Sequence, residues 1–279
     1  MTDELKVRVK NWLNKHGYPL EMEVASIARD AGFEVSQSEC YVDPETGLSR
    51  EIDLILYKSN FSQGEGSVFL SYRLLVECKS SKDKPWLLFA IPNVNDGSEQ
   101  DEFISSYKLE ESYFGQECIQ RYIRRLIFTG EGELYIYPNL DSEPWLGFGV
   151  TQAFSEAQDT PFKAIMSATK AALYYASRAN QLEIVLPDFE LFFPIVVIDV
   201  PLYAVSHNSK SNELDMVEIE VGNILWKHHM AGRSRHGVYL VTKLALPTFL
   251  ERCHQCAELL LRQNEMTLSQ IYQEVSSKK

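Results

Sequence analysis

Apolar positions along the first third of the chain change their period in a readable way. Leu20, Val24, Ile27, Ala28 and Ala31 recur at three- and four-residue spacing, which predicts a helix over 19–31 with one buried face. Gly32 is placed to end it. A second, charged helix is predicted over 4–14, joined to the first around Gly17. The pattern then becomes strand-like over 33–42, with a turn at Asp43-Pro44-Glu45-Thr46-Gly47. Residues 49–57 predict a second strand. After a loop holding Gly64 and Gly66, residues 68–78 predict a third, whose Leu74-Leu75-Val76 run suits burial on both faces.

The middle of the chain is less regular. A helical pattern covers 116–127, a short strand is predicted over 133–137, and the acidic stretch 93–102 reads as a loop. A clear helix is predicted over 161–179, where Pro161 suits the first turn. Apolar β-like runs follow over 193–205 and 238–244, and a last helix over 247–264. Helix, three strands, a long excursion, helix and strand predict an α/β fold, with a mixed central sheet flanked by helices. No linker divides the chain. The expectation is one elaborated domain over 1–279, with core motifs in 18–80, a later helix and strand in 161–205, and a hairpin and helix in 221–265.

Composition narrows the function. With 45% hydrophobic and 24% charged residues, the chain is not of disordered type. Lys and Arg number 27 against 39 Asp and Glu, a net charge of −12, which excludes a basic nucleic-acid coat. Nucleic acid would have to meet a local basic surface, or metal ions held by acidic groups. Residues 191–200 contain Pro194 and Asp199 and fall short of the roughly 18 apolar residues of a membrane helix. Residues 1–12 carry no apolar core of a secretory signal. Five cysteines, at 40, 78, 118, 253 and 256, suit a reducing compartment and predict a cytoplasmic protein.

The chemistry concentrates in Arg50-Glu51-Ile52-Asp53-Leu54-Ile55-Leu56 and Leu74-Leu75-Val76-Glu77-Cys78-Lys79. Asp53 lies inside an apolar strand, where an unpaired carboxylate is costly. Glu77 and Lys79, two residues apart, share one face at the end of another apolar strand. If the strands are neighbours, Asp53 and Glu77 converge on one divalent cation with Lys79 beside it. Mg2+, or Mn2+ in its place, takes such oxygen ligands and activates water against a phosphodiester. A lysine alongside holds that water and offsets charge on phosphorus. Glu-x-Lys alone means little, since Glu4-Leu5-Lys6 shows it too, and a strand-end salt bridge would also account for Glu77 and Lys79. The buried Asp strand and the hairpin connection favour the metal site.

These residues resemble the PD-(D/E)xK nuclease superfamily, the restriction-endonuclease-like fold, over 18–79 and more loosely over 161–205. The resemblance implies a helix, three strands, a helix and a strand as the core. It implies that Asp53 and Glu77 bind Mg2+, that the Cys78 carbonyl completes the site, and that Lys79 assists the water. Some branches, archaeal Holliday-junction resolvases among them, add a Glu from the first helix. Here that is Glu21, by its spacing to Gly32, or Glu23; two solvated acids at a helix start are the plain alternative for either. The sequence departs from the pattern at Ile52, where the family has Pro, and in the length of the Asp53–Glu77 connection. RecB-like members carry Gln-x-x-x-Tyr on the later helix; here Lys170-Ala171-Ala172-Leu173-Tyr174 offers a lysine that either faces phosphate or is solvated over a core tyrosine.

Other signals carry less. Cys253-His254-Gln255-Cys256 has no second pair, and Cys253 falls on the stripe Leu250, Cys253, Ala257, Leu260, so core packing is expected instead of zinc. Residues 221–250 hold no acid but four cations, Lys227, Arg233, Arg235 and Lys243, a local charge of +4. This is either a phosphate-contacting loop or an ordinary solvated hairpin. The reading is a Mg2+-dependent DNA nuclease, which family analogy places in bacterial antiviral defence or repair. The alternatives are a non-catalytic nucleic-acid-binding or assembly protein and an RNA-cleaving nuclease. Expected partners are DNA, with a protein partner supplying part of the grip or a second copy of the chain, and no membrane.

Overall fold

The computed structural model describes residues 3–13, 18–59, 69–81, 83–90, 104–108, 145–155, 159–179, 188–226 and 236–263. The expectations for 93–102, 116–127 and 133–137 lie outside the described residues, as do Lys227, Arg233 and Arg235. Helix α1 (Asp3–Leu13) buries no side chain. Helix α2 (Tyr18–Asp30) buries Leu20, Val24, Ala25 and Ala28, and Ile27 and Ala31 pack against the same core in part. It ends as Gly32 predicts. Gly32 takes φ 81°, its N–H reaches the Arg29 carbonyl at 2.9 Å, and the Phe33 N–H reaches that of Ala28 at 3.0 Å. Those two bonds satisfy the carbonyls a helix end leaves open.

Strands β1 (Glu34–Val42), β2 (Ser49–Ser59) and β3 (Phe69–Lys79) form an antiparallel meander. The turn between β1 and β2 is built by Asp43. Its Oδ1 accepts the Glu45 N–H at 2.9 Å, and Gly47, at φ 69°, donates to the Asp43 carbonyl at 2.8 Å. Helix α3 (Asp159–Ala179) precedes β7 (Asp188–Ile198), which lies parallel to β3 along its whole length. The other strands are β4 (Trp86–Ala90), β5 (Ile104–Lys108), β6 (Trp145–Gln152), β8 (Leu202–Asn208), β9 (Glu213–Ile219), β10 (Val221–Trp226) and β11 (His236–Thr242). Helix α4 (Leu246–Gln263) closes the series. The sheet runs β1-β2-β3-β7-β11-β10-β6-β4-β8-β9, with β5 also on β7.

The fold is thus mixed α/β, one large mixed sheet with helices on both faces. Alternation along the strands explains the layers. Leu54, Leu56, Leu74, Val76, Ile195 and Val197 face one way, onto Val24 of α2 and Phe249, Leu250 and Cys253 of α4. Ile55, Leu75 and Phe192 face the other way, onto Ala171, Ala172 and Ala176 of α3; Val196 and Ile198 meet Ala164 and Ile165. The run of small residues lets α3 lie close to the sheet. No helix among the described residues is long and apolar enough to cross a membrane.

The expected β run over 193–205 is in fact two strands. β7 stops at Ile198, and β8 begins at Leu202 on the far half of the sheet, beside β4. Pro201, which has no N–H to give a ladder, stands at the break. Pro194 stays inside β7, and lies in the gap between β5, which pairs to Phe192, and β11, which pairs from Ile195.

Candidate active site

The site begins where two ladders let go. β2 pairs with β3 from Ser59↔Ser71 to Leu54↔Val76, and the next positions, Asp53 and Glu77, are not paired with each other, while Glu77 keeps its pairing with Val196 of β7. On the other side the β1·β2 register skips Ser38 and Asp53, and Ser38 sits at φ 54°. The alternation breaks there too: Ile52 packs with Ile55 and Leu75, although Leu54 faces the opposite layer. Asp53 therefore occupies a kink, and its side chain does the work of a missing ladder partner. Its Oδ2 accepts the Cys78 N–H at 2.7 Å.

Glu77 and Lys79 stand together at the end of β3. Lys79 Nζ donates to Glu77 Oε1 at 2.6 Å, and the Lys79 carbonyl accepts the Asp199 N–H at 3.1 Å. Oε2 of Glu77 is buried and, among the described residues, meets no close hydrogen-bond geometry, although the Ser167 hydroxyl is near enough to draw the carboxyl's pKa down. Burial pushes the Glu77 carboxyl above its ordinary range, and neighbouring Asp53 adds to this against the pull of Lys79. Asp53 is raised as well, by burial first and by Glu51, while the Cys78 amide and Lys79 draw it down. Burial alone would favour a neutral Lys79. Glu77 and Asp53 outweigh it, so the ammonium form is favoured.

Helix α2 brings a third acid to this cluster. The Glu21 carboxyl is raised by burial and then by Asp53, with Lys79 opposing. Glu23 goes elsewhere: residues two apart on a helix point in nearly opposite directions, and Glu23 Oε2 pairs with Lys243 Nζ at 2.7 Å. Of the two acids, Glu21 is the one within electrostatic reach of Asp53 and Lys79. The Cys78 thiol, surrounded by Asp53, Glu21 and Glu77 and buried, is pushed well above its ordinary value and stays protonated.

The donor set fits a hard divalent cation. Two carboxylates and a backbone carbonyl are oxygen ligands of the kind Mg2+ and Mn2+ take. Carboxyls that burial holds toward neutrality, Glu77 further raised by Asp53, are what such a cation would relieve. Among the described residues no group of three or more His, Cys, Asp or Glu stands close enough together to hold a metal ion by itself. A cation held here would keep part of its shell as water, as Mg2+ does.

Two expected basic contacts are spoken for by acids. Lys243, just past β11, is the partner of Glu23. Lys170 of α3 is not a solvated lysine. Its side chain is 12% exposed and bonds Asp43 Oδ2 at 3.0 Å and Glu45. It lines, with Glu77 and Lys79, a cleft of about 960 Å3 between α3 and the start of β2. Tyr41 and Ser167 of this cleft carried no motif. The Tyr41 hydroxyl lies 3.4 Å from both the carbonyl and the hydroxyl of Ser167, and Glu77 is near enough to raise it further after burial. An aromatic closing a strand is too common in sequence to signal a site.

Cys253 and Cys256 are buried and packed in the core, as the helical stripe predicts. His254 sits edge-on to Phe33, with its ring 3.2 Å from where a Cβ on Gly32 would be. In comparison with known proteins, no family model matches the chain, and neither a curated protein nor a solved structure does.

Proposed function

We propose that this protein is a divalent-metal-dependent nuclease that hydrolyses phosphodiester bonds in DNA, of the PD-(D/E)xK type. One observation carries the reading. Asp53 and Glu77 occupy the facing positions just past the last β2–β3 pair, Leu54↔Val76, both carboxyls raised by burial, with Lys79 at 2.6 Å from Glu77. The succession α2-β1-β2-β3, then after the interposed β4, β5 and β6 the pair α3-β7, with β7 parallel to β3, supports it.

Asp53, Glu77 and the Cys78 carbonyl would hold the cation, with Glu21 close enough to join or to bind one of its waters. A divalent cation held there would supply polarisation of the scissile phosphate and a lowered pKa for a bound water. Lys79 stays protonated beside Glu77, so it acts as a donor. It orients the attacking water and counters charge gathering on the phosphate oxygens, instead of removing a proton. The strands contribute rigidity: the ladder below Leu54↔Val76 fixes both carboxylates on one scaffold.

A second reading, nucleic-acid binding without cleavage, draws on the internal partners of the acids, the Cys78 amide for Asp53 and Lys79 for Glu77. The test is incubation of wild type and Lys79→Ala with linear, circular and single-stranded DNA and with RNA, in Mg2+ or EDTA. Cleavage of DNA by wild type in Mg2+ alone, lost in Lys79→Ala, is the expected result. No cleavage by wild type, or equal cleavage by the variant, contradicts catalysis; a preference for RNA contradicts the DNA assignment.

A further inference from the structure

We propose that the outer edge of β9 is a docking strand for a partner protein, and that it takes an extended segment whose side chains alternate between basic and apolar. This edge lies at the far end of the sheet from β1, β2 and β3, and owes nothing to the metal site. β9 ends the strand order and, among the described residues, pairs with β8 alone. One side of its backbone is therefore open, with N–H and C=O groups for another strand. A bulge, a proline or a lysine ordinarily blunts such an edge. Here the seven pairs run without a slip from Leu202↔Ile219 to Asn208↔Glu213, and residues 213–219 hold no Gly, Pro or Lys. The turn before β9 is braced. The Asn212 N–H reaches the Asn208 carbonyl at 2.8 Å, and Asn208 Oδ1 accepts the Lys210 and Ser211 amides at 3.0 and 3.3 Å.

The register says what fits beside it. Directly paired residues of neighbouring strands share a face of the sheet. Leu202 and Ala204 of β8 belong to the core under α3, so their partners Ile219 and Val217 turn that way, followed along the strand by Asp215 and Glu213. The opposite face carries Glu218 and then Met216 and Leu214, which are 61% and 71% exposed although apolar. A strand laid alongside meets carboxylates on one face and apolar side chains on the other. Lysine or arginine alternating with an apolar residue answers both, while the main chain supplies the ladder.

Charge selects the occupant. Residues 213–220 hold four acids, Glu213, Asp215, Glu218 and Glu220, and no base. None of the four has an ion-pair partner among the described residues; Asp215 accepts the Asn208 amide at 3.0 Å and keeps its charge. A second copy of the chain would bring four more carboxylates into the same ladder, which repulsion between like charges disfavours. A basic strand neutralises them instead.

The experiment follows a short fluorescein-labelled peptide of alternating lysine and valine by anisotropy, with the full chain at about 0.15 M salt, where long-range attraction to an acidic protein is screened. A control peptide carries proline in place of alternate valines, which keeps the charge and prevents the ladder. The first peptide should bind, with its 13C-labelled carbonyls moving to the amide I position of a sheet, and the control should bind roughly tenfold more weakly or not at all. Glu213→Lys with Asp215→Lys should weaken binding of the first peptide about tenfold, as two attractive cross-strand pairs become repulsive. Met216→Lys, at an exposed position, should weaken it by a smaller factor. No binding of the first peptide, equal binding of the proline control, or unchanged affinity in the Glu213→Lys, Asp215→Lys variant overturns the proposal. So does sedimentation of the wild type as a dimer that Met216→Lys disperses, since that gives the edge to a second copy. DNA cleavage stays at the wild-type level in all these variants, so this edge and the metal site stand or fall separately.

Discussion

The N–H of Cys78 donates to Oδ2 of Asp53 at 2.7 Å, across the point where strands β2 and β3 stop pairing. That bond ties the carboxylate of one strand to the backbone of the other, one residue from Glu77 and one from Lys79. It fixes Asp53 in the kink and sets the spacing of the proposed ligands before any cation arrives. It also keeps a charge where burial resists one, and this has a measurable consequence.

A carboxyl whose pKa is higher in the fold than in the open chain favours the fold in its protonated form. That contribution is complete below the ordinary value near 3.8 and is lost as pH rises through the raised one. Metal-free Asp53→Asn, whose amide oxygen can still accept the Cys78 N–H, should therefore melt above wild type at neutral pH. The gain is about 2–4 °C for each kcal/mol relieved, and it shrinks as pH falls toward 4. Thermal melts in EDTA across that range check it.

Glu21 and Glu23 should behave differently although they are near neighbours in sequence. Glu21→Gln is expected to cut Mg2+-dependent cleavage by about 10- to 100-fold, as loss of a group supporting a metal site does. Glu23→Gln breaks a half-exposed pair with Lys243, costs under about 1 kcal/mol, and leaves cleavage near wild type. Rates at saturating and limiting Mg2+ distinguish the two.

The Asp43–Lys170–Glu45 group should act as a clamp between α3 and the β1–β2 turn. Burial would raise the Asp43 carboxyl, but the Glu45 and Thr46 amides and Lys170 hold it below its ordinary value. Its stabilisation is present above about pH 4 and lost as pH falls through the depressed value. Asp43→Asn should cost about 1–3 kcal/mol at neutral pH, less than a deep pair because Glu45 stays with Lys170 near the surface. Urea unfolding at neutral and acid pH should show that gap closing in acid.

Leu88 of β4 is held between two glycines. A Cβ at Gly147 would overlap its Cδ1 and lie 2.7 Å from its Cγ, and one at Gly222 would lie 2.6 Å from its Cδ2. Leu88 is fully buried and has nowhere to move. Gly147→Ala should cost about 1–3 kcal/mol by overpacking. Adding Leu88→Ala should recover part of that loss, as a double-mutant cycle in urea would show.

Much of the site end of the fold is legible in the sequence. From Tyr18 to Lys79 each element carries its own period, a helix stripe on Leu20, Val24 and Ala28 and strand runs around Leu54 and Leu75, and the short turn at Asp43 fixes β1 beside β2. Asp53, Glu77 and Lys79 stand out because charge inside an apolar strand needs a reason. What could not be read depends on distant partners. The periodicity of α2 leaves Glu21 and Glu23 equal, and it is Lys243, from the far end of the chain, that draws Glu23 aside. Lys170 meets Asp43 at a separation of 127 residues. Strand β9 carries a short alternation, Glu213-Leu214-Asp215-Met216, but Leu214 and Met216 stay exposed and only Ile219 is buried, so the pattern does not mark a core face. The run over 193–205 hid a change of neighbour that apolar content cannot show.

The central claim is that Asp53 and Glu77 share one divalent cation. Mn2+ binding, followed by the loss of its free-ion electron paramagnetic resonance signal as protein is added, tests it without reference to activity. Wild type should bind the ion, Mg2+ should displace it, and Asp53→Asn and Glu77→Gln should each abolish binding while remaining folded. Binding that survives in both variants, or none by wild type at millimolar metal, would contradict the account.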